Sequence, residues 1–320
     1  MERVFLSSIA VLATVASTSP CFADEPTPPS PSTTVTADTA RPTDAEKRAH
    51  AFGWNDDWPK AQTYELVLTG VFATTAFVGA ALPGTPKWTS TNGFDDAARK
   101  ALRLKNPSDQ QLAKDASDIG IAVLVNQAAI DDLFVAWWAH KHPAVAWQMA
   151  VMDAETLAFT TGVNSLVVGL VGRQRPYVAD LCKQADWKDT SSCTGSGPYR
   201  SFFSGHTTAA FTLAGLTCIH HAELGLYDSP AGDAFACVGA MGTATMVGFM
   251  RVLSDQHYMS DVIVGAVFGA SAGIGLPWLF HYRGGAKLNA STKAHAQKGI
   301  FVPPPTVAVT TSGVQLTGVF

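Results

Sequence analysis

The sequence predicts an all-α protein folded as a bundle of six helices. Between Gln62 and Tyr282 the apolar residues form long stretches that lack the alternation of a half-buried strand. Prolines lie near the ends of several of these stretches, where they start or stop helices. Hydrophobic residues make up 47% of the 320 residues and charged residues 15%, against about 25% charged in typical soluble domains. We therefore expect one sizeable apolar core.

The first 23 residues have the pattern of a secretory signal peptide. Arg3 precedes an apolar stretch from Val4 to Ala16, and small residues occupy the positions one and three before a cut after Ala23. An uncleaved anchor helix is the alternative, but about 13 apolar residues are short for a span that needs about 20. We expect cleavage and export to the periplasm or cell envelope.

The segments flanking the helices carry no predicted chemistry. Residues 24–46 are rich in Pro, Ser and Thr, which predicts a flexible, disordered spacer. The helical domain is predicted at 47–285. The C-terminal tail, 286–320, has a Thr-Ser-Gly turn near Ser312 between Val- and Thr-rich segments, which predicts one short hairpin.

The six helices are predicted at 62–82, 117–139, 144–172, 205–222, 232–252 and 259–281. The first, fifth and sixth are apolar enough to span a bilayer. The other three contain polar residues that would be costly against lipid, namely Asp131, Asp132, Asp153, Glu155, His220 and His221.

The topology bears on whether these helices cross a membrane. With the signal peptide removed, three crossings would place the loop 173–204 in the reducing cytoplasm, although it contains two cysteines and much of the candidate chemistry. We therefore prefer an external helical bundle, in contact with a membrane, to an integral membrane protein. The six Lys and Arg residues between Lys87 and Lys114 favour the opposite, since they suit a cytoplasmic loop.

Four cysteines remain after the signal peptide. Cys182 and Cys193 lie in one polar loop and are predicted to form a disulfide, which would stabilise the loop by roughly 3 kcal/mol in the chain-entropy description. Cys218 and Cys237 lie in apolar helices, and the sequence leaves open whether they pair or remain buried thiols.

The charge balance excludes one class of partner. The 22 basic and 26 acidic side chains give a formal net charge of −4. Because there is no basic field of the kind that binds nucleic acid, DNA and RNA are not expected partners.

Three short polar segments border the apolar helices and carry the candidate chemistry. The first is Gly-Arg-Gln-Arg-Pro at 172–176, and the second is Ser-Phe-Phe-Ser-Gly-His-Thr-Thr at 201–208. The third consists of Arg251, His257 and Asp261. Each segment alone is explained by a helix end, a helix start or a surface ion pair. Their joint occurrence indicates a functional site.

The third segment predicts a nucleophile. His257 and Asp261 are four residues apart, so on a helix they would share a face, and the carboxylate would fix the tautomer of one ring nitrogen. The other ring nitrogen would then be free to attack.

The remaining polar residues are suited to binding phosphate. Ser204 is a good helix N-cap, and Gly205 lets a ligand approach the N–H groups of the following turn. Arg175 and Arg251 offer planar pairs of donors that match phosphate oxygens, and His206 would lie beside the bound anion. Together they predict a phosphate pocket.

These segments resemble the type 2 phosphatidic acid phosphatase and vanadium haloperoxidase superfamily over roughly residues 60 to 282. The family pattern is Lys, six residues, Arg-Pro; then Pro-Ser-Gly-His; then Ser-Arg, five residues, His, three residues, Asp. The matching residues are Arg175-Pro176, Ser204-Gly205-His206, and Arg251, His257 and Asp261.

The resemblance implies a helical bundle that acts on phosphate esters without a metal ion. It implies that His257 is the nucleophile that becomes a phosphohistidine, that Asp261 orients it, and that His206 protonates the leaving oxygen. The groups implied to hold the phosphoryl oxygens are Arg175, Arg251, Ser204 and the backbone at Gly205.

The chain departs from the family pattern at three positions. Phe203 replaces the proline and Met250 the serine, and neither side chain needs to contact phosphate. Val168 replaces the lysine and removes a positive charge, for which Arg173 and Lys183 are the candidate replacements. If residue 168 shares a helix face with Arg175, Val168→Lys should tighten phosphate or vanadate inhibition by up to about tenfold.

The sequence thus predicts an acid phosphatase or phosphatidate phosphatase-like hydrolase without a cofactor. Its substrate would be a phosphorylated small molecule or a lipid phosphate, hydrolysed through phosphohistidine. Two alternatives remain: a haloperoxidase that holds vanadate in the same pocket, and a weakly active phosphate-binding envelope protein.

Overall fold

The computed structural model describes residues 52–186, 188–190 and 192–283, and the backbone of 306–310 and 313–317. The predicted signal peptide and spacer lie outside the described residues, as do both ends of the predicted domain. Those boundaries stay predictions.

The described residues form seven α-helices. These are α1 (Thr63–Ala81), α2 (Gly93–Leu102), α3 (Pro107–Ile130), α4 (Pro143–Val171), α5 (Gly205–Leu224), α6 (Pro230–Leu253) and α7 (Met259–Pro277). The helices α3 and α7 continue as π-helix over Asp131–Ala139 and Trp278–Tyr282. Single 3₁₀ turns lie at Pro176–Ala179, Leu181–Lys183 and Gly197–Tyr199.

The predicted fold class is confirmed. Six of these helices are long and correspond to the six predicted ones, whereas the short α2 was not predicted. The predicted C-terminal hairpin is present as the antiparallel strands β1 (Thr306–Thr310) and β2 (Gly313–Thr317).

Local sequence explains where the long helices begin and end. Pro143 and Pro230 occupy the first turn of α4 and α6, where a missing N–H costs nothing. Gly172 and Gly225 end α4 and α5 in the left-handed conformation, with φ of 60° and 63°. A side chain at Gly172 would also collide with the Thr85 carbonyl, so only glycine fits there.

The helix α5 lies at the centre of the bundle. Fourteen of its 20 residues are buried, and it packs against α4, α6 and α7. Gly269 and Gly273 of α7 let the two backbones approach closely, because a Cβ at either position would meet the carbonyl of Thr208 or Thr212. Close packing through small residues four apart is typical of helices in membranes.

Five segments are long and apolar enough to cross a membrane, namely 63–81, 107–139, 143–171, 230–253 and 259–282. Large apolar side chains such as Phe77, Trp138 and Phe235 point outward from them. These features indicate a membrane protein and do not support the external bundle that we preferred from the sequence.

Four of the six polar residues that argued against crossing are paired inside the bundle. His220 contacts Asp153 at 2.9 Å, and His221 contacts Asp131 at 3.2 Å and Asp233 at 2.7 Å. Since the charged groups face one another and not lipid, they do not prevent the helices from spanning a bilayer.

Both pairs of cysteines form disulfides. Cys182 and Cys193 are joined within the loop, as predicted, with Cα atoms 5.4 Å apart. Cys218 of α5 and Cys237 of α6 are also joined, which answers the question that the sequence left open.

Candidate active site

The chain turns sharply after α4, and this turn gives Arg173 and Arg175 different surroundings. Beyond Gly172 the backbone of Arg173 forms a β-bridge with Trp88, and Arg175 precedes the 3₁₀ turn at Pro176–Ala179. Val168 lies inside α4, whereas Arg175 lies beyond its end. The expectation that residues 168 and 175 share a helix face is therefore wrong.

Val168 is itself buried, which reverses the effect expected of a lysine there. Val168→Lys would place an ammonium group at a position that is only 7% exposed, so we expect lower thermal stability and no tightening of phosphate or vanadate inhibition. Thermal unfolding in detergent and vanadate inhibition would measure the two effects. A stable variant with clearly tighter inhibition would contradict this placement.

His257 is held by a backbone carbonyl. Its Nδ1 lies 2.8 Å from the Ser201 carbonyl oxygen and 3.7 Å from Asp261 Oδ2. Because a carbonyl only accepts, Nδ1 carries the proton, and Nε2 keeps its lone pair. His257 precedes α7 by two residues, so the predicted pairing of His257 and Asp261 on one helix face is also wrong.

Asp261 acts on His257 through Ser201. Its carboxylate accepts hydrogen bonds from the Ser201 hydroxyl at 2.6 Å and from the Tyr258 N–H at 3.0 Å, and it caps the first turn of α7. Since the same Ser201 contributes the carbonyl that holds His257, the carboxylate fixes the position of the ring indirectly.

Arg173 lies behind Asp261. Its guanidinium donates to Asp261 and, at 2.6 Å, to Asp95 of α2. It also lies 4.1 Å from the ring centre of Trp88 and 4.4 Å from that of Tyr258. With only 1% of Arg173 exposed and two carboxylates beside it, its charge is already neutralised.

The two candidates for replacing the missing lysine, Arg173 and Lys183, have different surroundings. Because Arg173 is paired with two carboxylates, its charge does not replace that of the lysine. Lys183 is exposed on the 3₁₀ turn Leu181–Lys183, and among the described residues it makes no hydrogen bond or ion pair with the site.

The start of α5 presents unpaired backbone donors. Ser204 caps the helix, accepting from the Thr207 N–H at 3.4 Å and from the Thr207 hydroxyl at 2.9 Å. The N–H groups of Gly205 and His206, at the first two positions of the helix, have no acceptor within it. Such donors at a helix N-terminus favour an anion.

Two arginines flank this helix start. Arg175 donates from Nε to the Gly197 carbonyl at 3.1 Å and from Nη1 to the Gln256 side chain at 3.0 Å. Arg251 donates from Nη1 to Ser117 at 3.2 Å, while its buried Nε has no hydrogen-bond partner. Its carbonyl accepts from the His257 N–H at 3.2 Å, which ties the arginine to the histidine. A buried donor without an acceptor is typical of a site that binds an anion.

His206 is paired with a carboxylate of α3. Its Nε2 lies 2.9 Å from Asp118 Oδ1. Burial, together with the positive charge of Arg251, lowers the pKa of His206 to about 4, although Asp118 opposes this shift. Burial and the positive charge of Arg175 lower the pKa of His257 to about 3. Both imidazoles are thus neutral at pH 7, and the positive charge of the site is carried by Arg175 and Arg251.

The structure brings together the predicted His206, His257, Asp261, Arg175, Arg251, Ser204 and Gly205 at one end of the bundle. Sequence reasoning missed Asp95, Asp118 and the role of Ser201. Their partners lie far away in the chain, and nothing in the local sequence marks them.

Residues 153–285 match the sequence model of the PAP2 superfamily. No curated protein matches the chain at a significant level. A solved structure that is similar is the "first transmembrane PAP2 type phosphatidylglycerolphosphate phosphatase from Bacillus subtilis", at 18% identity and a TM-score of 0.44. That similarity covers 66% of this chain and 92% of the other.

Proposed function

Since residues 153–285 match the sequence model of the PAP2 superfamily, we propose that this protein is a metal-independent phosphatase that transfers the phosphoryl group to His257 and then to water. The observation that carries the proposal is the hydrogen bond from His257 Nδ1 to the Ser201 carbonyl. This hydrogen bond leaves Nε2 without a proton. In the same site, the first N–H groups of α5 and the Nε of Arg251 have no acceptor.

In the first step, His257 Nε2 attacks phosphorus and the bond from phosphorus to the leaving oxygen breaks. The protonated form of His206, which is the minor form of the free enzyme at pH 7, donates its proton to that oxygen. Arg175, Arg251 and the N–H groups at the start of α5 hold the three phosphoryl oxygens, whose charge they match in the transition state. The product alcohol leaves, and a phosphohistidine remains.

In the second step, water attacks the phosphorus and the phosphorus–nitrogen bond breaks. His206, now neutral, takes the proton of the water. His257 Nε2 regains its lone pair, with its ring still held through Nδ1. Asp261 and Ser201 are positioning residues in both steps, because they limit rotation of the ring without contacting phosphate.

A lipid phosphate is the substrate class that best suits this placement. The candidate site lies at one end of a bundle with five segments able to cross a membrane. A phosphate headgroup at the membrane surface can reach such a site while its acyl chains stay in lipid.

The direct test uses the full chain purified in detergent, with phosphatidic acid and p-nitrophenyl phosphate as substrates and EDTA present. We expect phosphate release with both substrates and inhibition by orthovanadate. Absence of hydrolysis would refute the proposal, and halide oxidation by the vanadate-loaded protein would favour the haloperoxidase alternative.

The low pKa of His206 predicts how the rate depends on leaving group and pH. Above about pH 4 the fraction of free enzyme with protonated His206 falls with rising pH, so kcat/KM should fall for an alkyl phosphate, which needs the acid. It should fall less for p-nitrophenyl phosphate, whose leaving group departs without a proton. After correction for the ionisation of each substrate's own phosphate, the ratio of the two values should drop by about tenfold or more between about pH 5 and about pH 7.

Asp118→Asn should lower this ratio further at pH values above about 4. The carboxylate of Asp118 favours the protonated imidazole, so its loss lowers the pKa of His206, and we expect an alkyl-to-nitrophenyl ratio reduced by up to about tenfold. His140→Gln is the matched control, because His140 contacts the Leu226 carbonyl, away from the candidate site. An unchanged ratio in Asp118→Asn would show that His206 is not the general acid.

A further inference from the structure

A second cluster of ligating side chains lies toward the opposite end of the bundle from the candidate active site. It consists of Glu65 in the first turn of α1, Glu155 of α4, and His281 in the π-helix that follows α7. Because α7 and its π-helical continuation run from residue 259 to 282, His281 lies about 33 Å along the helix from the end that bears His257. The proposed phosphatase chemistry does not use this cluster.

The three side chains converge without bonding one another. His281 Nε2 lies 3.9 Å from Glu65 Oε1 and 3.8 Å from Glu155 Oε2. One ligand atom from each of the three residues lies within 4.8 Å of the other two. These separations are too long for hydrogen bonds. Glu65 and His281 are only 4% and 2% exposed.

The other nitrogen of His281 fixes the direction of the lone pair. Nδ1 lies 3.4 Å from the Pro59 carbonyl oxygen, a long contact in which only the ring nitrogen can donate. With the proton on Nδ1, the lone pair of Nε2 faces the two carboxylates. A histidine whose far nitrogen donates to a backbone carbonyl is the usual arrangement of a metal ligand. A buried lone pair facing two carboxylates calls for a cation between them.

We propose that Glu65, Glu155 and His281 bind one divalent transition-metal ion, with Zn²⁺ the ion whose ligand preferences this set fits best. Zinc accepts one imidazole nitrogen and two carboxylate oxygens, with water in the fourth position. Mg²⁺ and Ca²⁺ prefer oxygen ligands throughout.

The spacing is close to that of a zinc site. Ligand atoms at about 2.1 Å from a tetrahedral zinc ion lie about 3.4 Å apart. Glu65 already accepts from the Gln62 N–H at Oε2, at 2.5 Å, and from the Tyr64 hydroxyl at Oε1, at 3.2 Å. Oε1 has a second lone pair for an ion, so small shifts of Glu155 and of the imidazole toward Oε1 would bring the ligand atoms to that spacing. The charge also balances, because two carboxylates neutralise a divalent ion and the buried group carries no net charge.

Such an ion would have a structural role. It would join the beginning of α1, the interior of α4 and the end of the π-helix. Through the Pro59 carbonyl it would also fix the segment that precedes α1, whose Trp58 packs against Tyr282 with ring centres 4.9 Å apart. Metal binding is therefore expected to change stability and not the rate of phosphate release.

The test uses the untagged full chain in detergent, stripped with EDTA and titrated with Zn²⁺ alone. We expect one equivalent to bind, an increase in the thermal unfolding temperature that EDTA reverses, and affinity reduced about 10- to 100-fold or more in Glu155→Gln and His281→Asn. Glu223→Gln is the matched control, since Glu223 lies near Tyr282 but outside the cluster. It should bind Zn²⁺ like the unmodified chain.

Glu155→Gln is the variant that we expect to fold normally, because the side chain of Glu155 is 17% exposed and is the least buried of the three. Failure of the unmodified chain to bind Zn²⁺ saturably, or equal binding by folded Glu155→Gln, would overturn the proposal. Phosphate release measured in the same samples tests the proposed function separately, so either proposal can fail without the other.

Discussion

His257→Gln is expected to abolish phosphate release from both an alkyl phosphate and p-nitrophenyl phosphate. Glutamine preserves polarity and much of the volume but has no nitrogen lone pair to attack phosphorus. Removing a covalent nucleophile costs more than removing a general acid, so the loss in kcat should be at least about 10⁴-fold. Release of inorganic phosphate by the purified variant measures it.

His206→Gln separates the two histidine roles. Without the acid, the alkyl phosphate should be hydrolysed about 10² to 10⁴-fold more slowly, while p-nitrophenyl phosphate is affected far less. Rapid quenching with labelled substrate should trap a phosphoenzyme in His206→Gln and none in His257→Gln. A normal rate in His257→Gln, or a labelled phosphoenzyme in that variant, would contradict the assignment of His257 as the nucleophile. His140→Gln again serves as the control.

Arg173→Met is expected to be the most destabilising single change near the site. It leaves Asp95 and Asp261, both 0% exposed, without their shared counter-charge. Breaking a buried charge network in this way costs about 3–5 kcal/mol, which corresponds to a fall of about 10 °C in the unfolding temperature for a chain of this size. Thermal unfolding of the detergent-solubilised protein measures the fall.

A second substitution tests the cause. Asp95→Asn in the Arg173→Met background removes one of the two stranded charges, so part of the lost stability should return. Arg200→Met is the matched control: Arg200 is a partly buried arginine that, among the described residues, donates to the Gly79 and Leu82 carbonyls at the end of α1, and we expect a smaller fall. If Arg173→Met unfolds at the same temperature as the unmodified chain, the network does not support the site.

Local residues determined the helices and most of the candidate site. Proline at helix starts and glycine after helix ends fix boundaries through backbone geometry, so α4, α5 and α6 were predicted to within a few residues. The residues around Ser204 and Arg251 could be recognised because each group lies within a few positions of a helix end. Both kinds of prediction depend on neighbours in the chain.

The tertiary structure decided which polar groups are partners. Asp153 and His220 are each costly in a membrane helix alone, but the fold brings them together. Arg173 is a candidate free charge by its sequence position, but Asp95 and Asp261 enclose it. His257 is oriented by the Ser201 carbonyl, 56 residues away in the chain, and not directly by the nearby Asp261. Such pairings depend on helix packing, and the free energy of a buried charge depends on what packs beside it. No pattern within one segment contains that information.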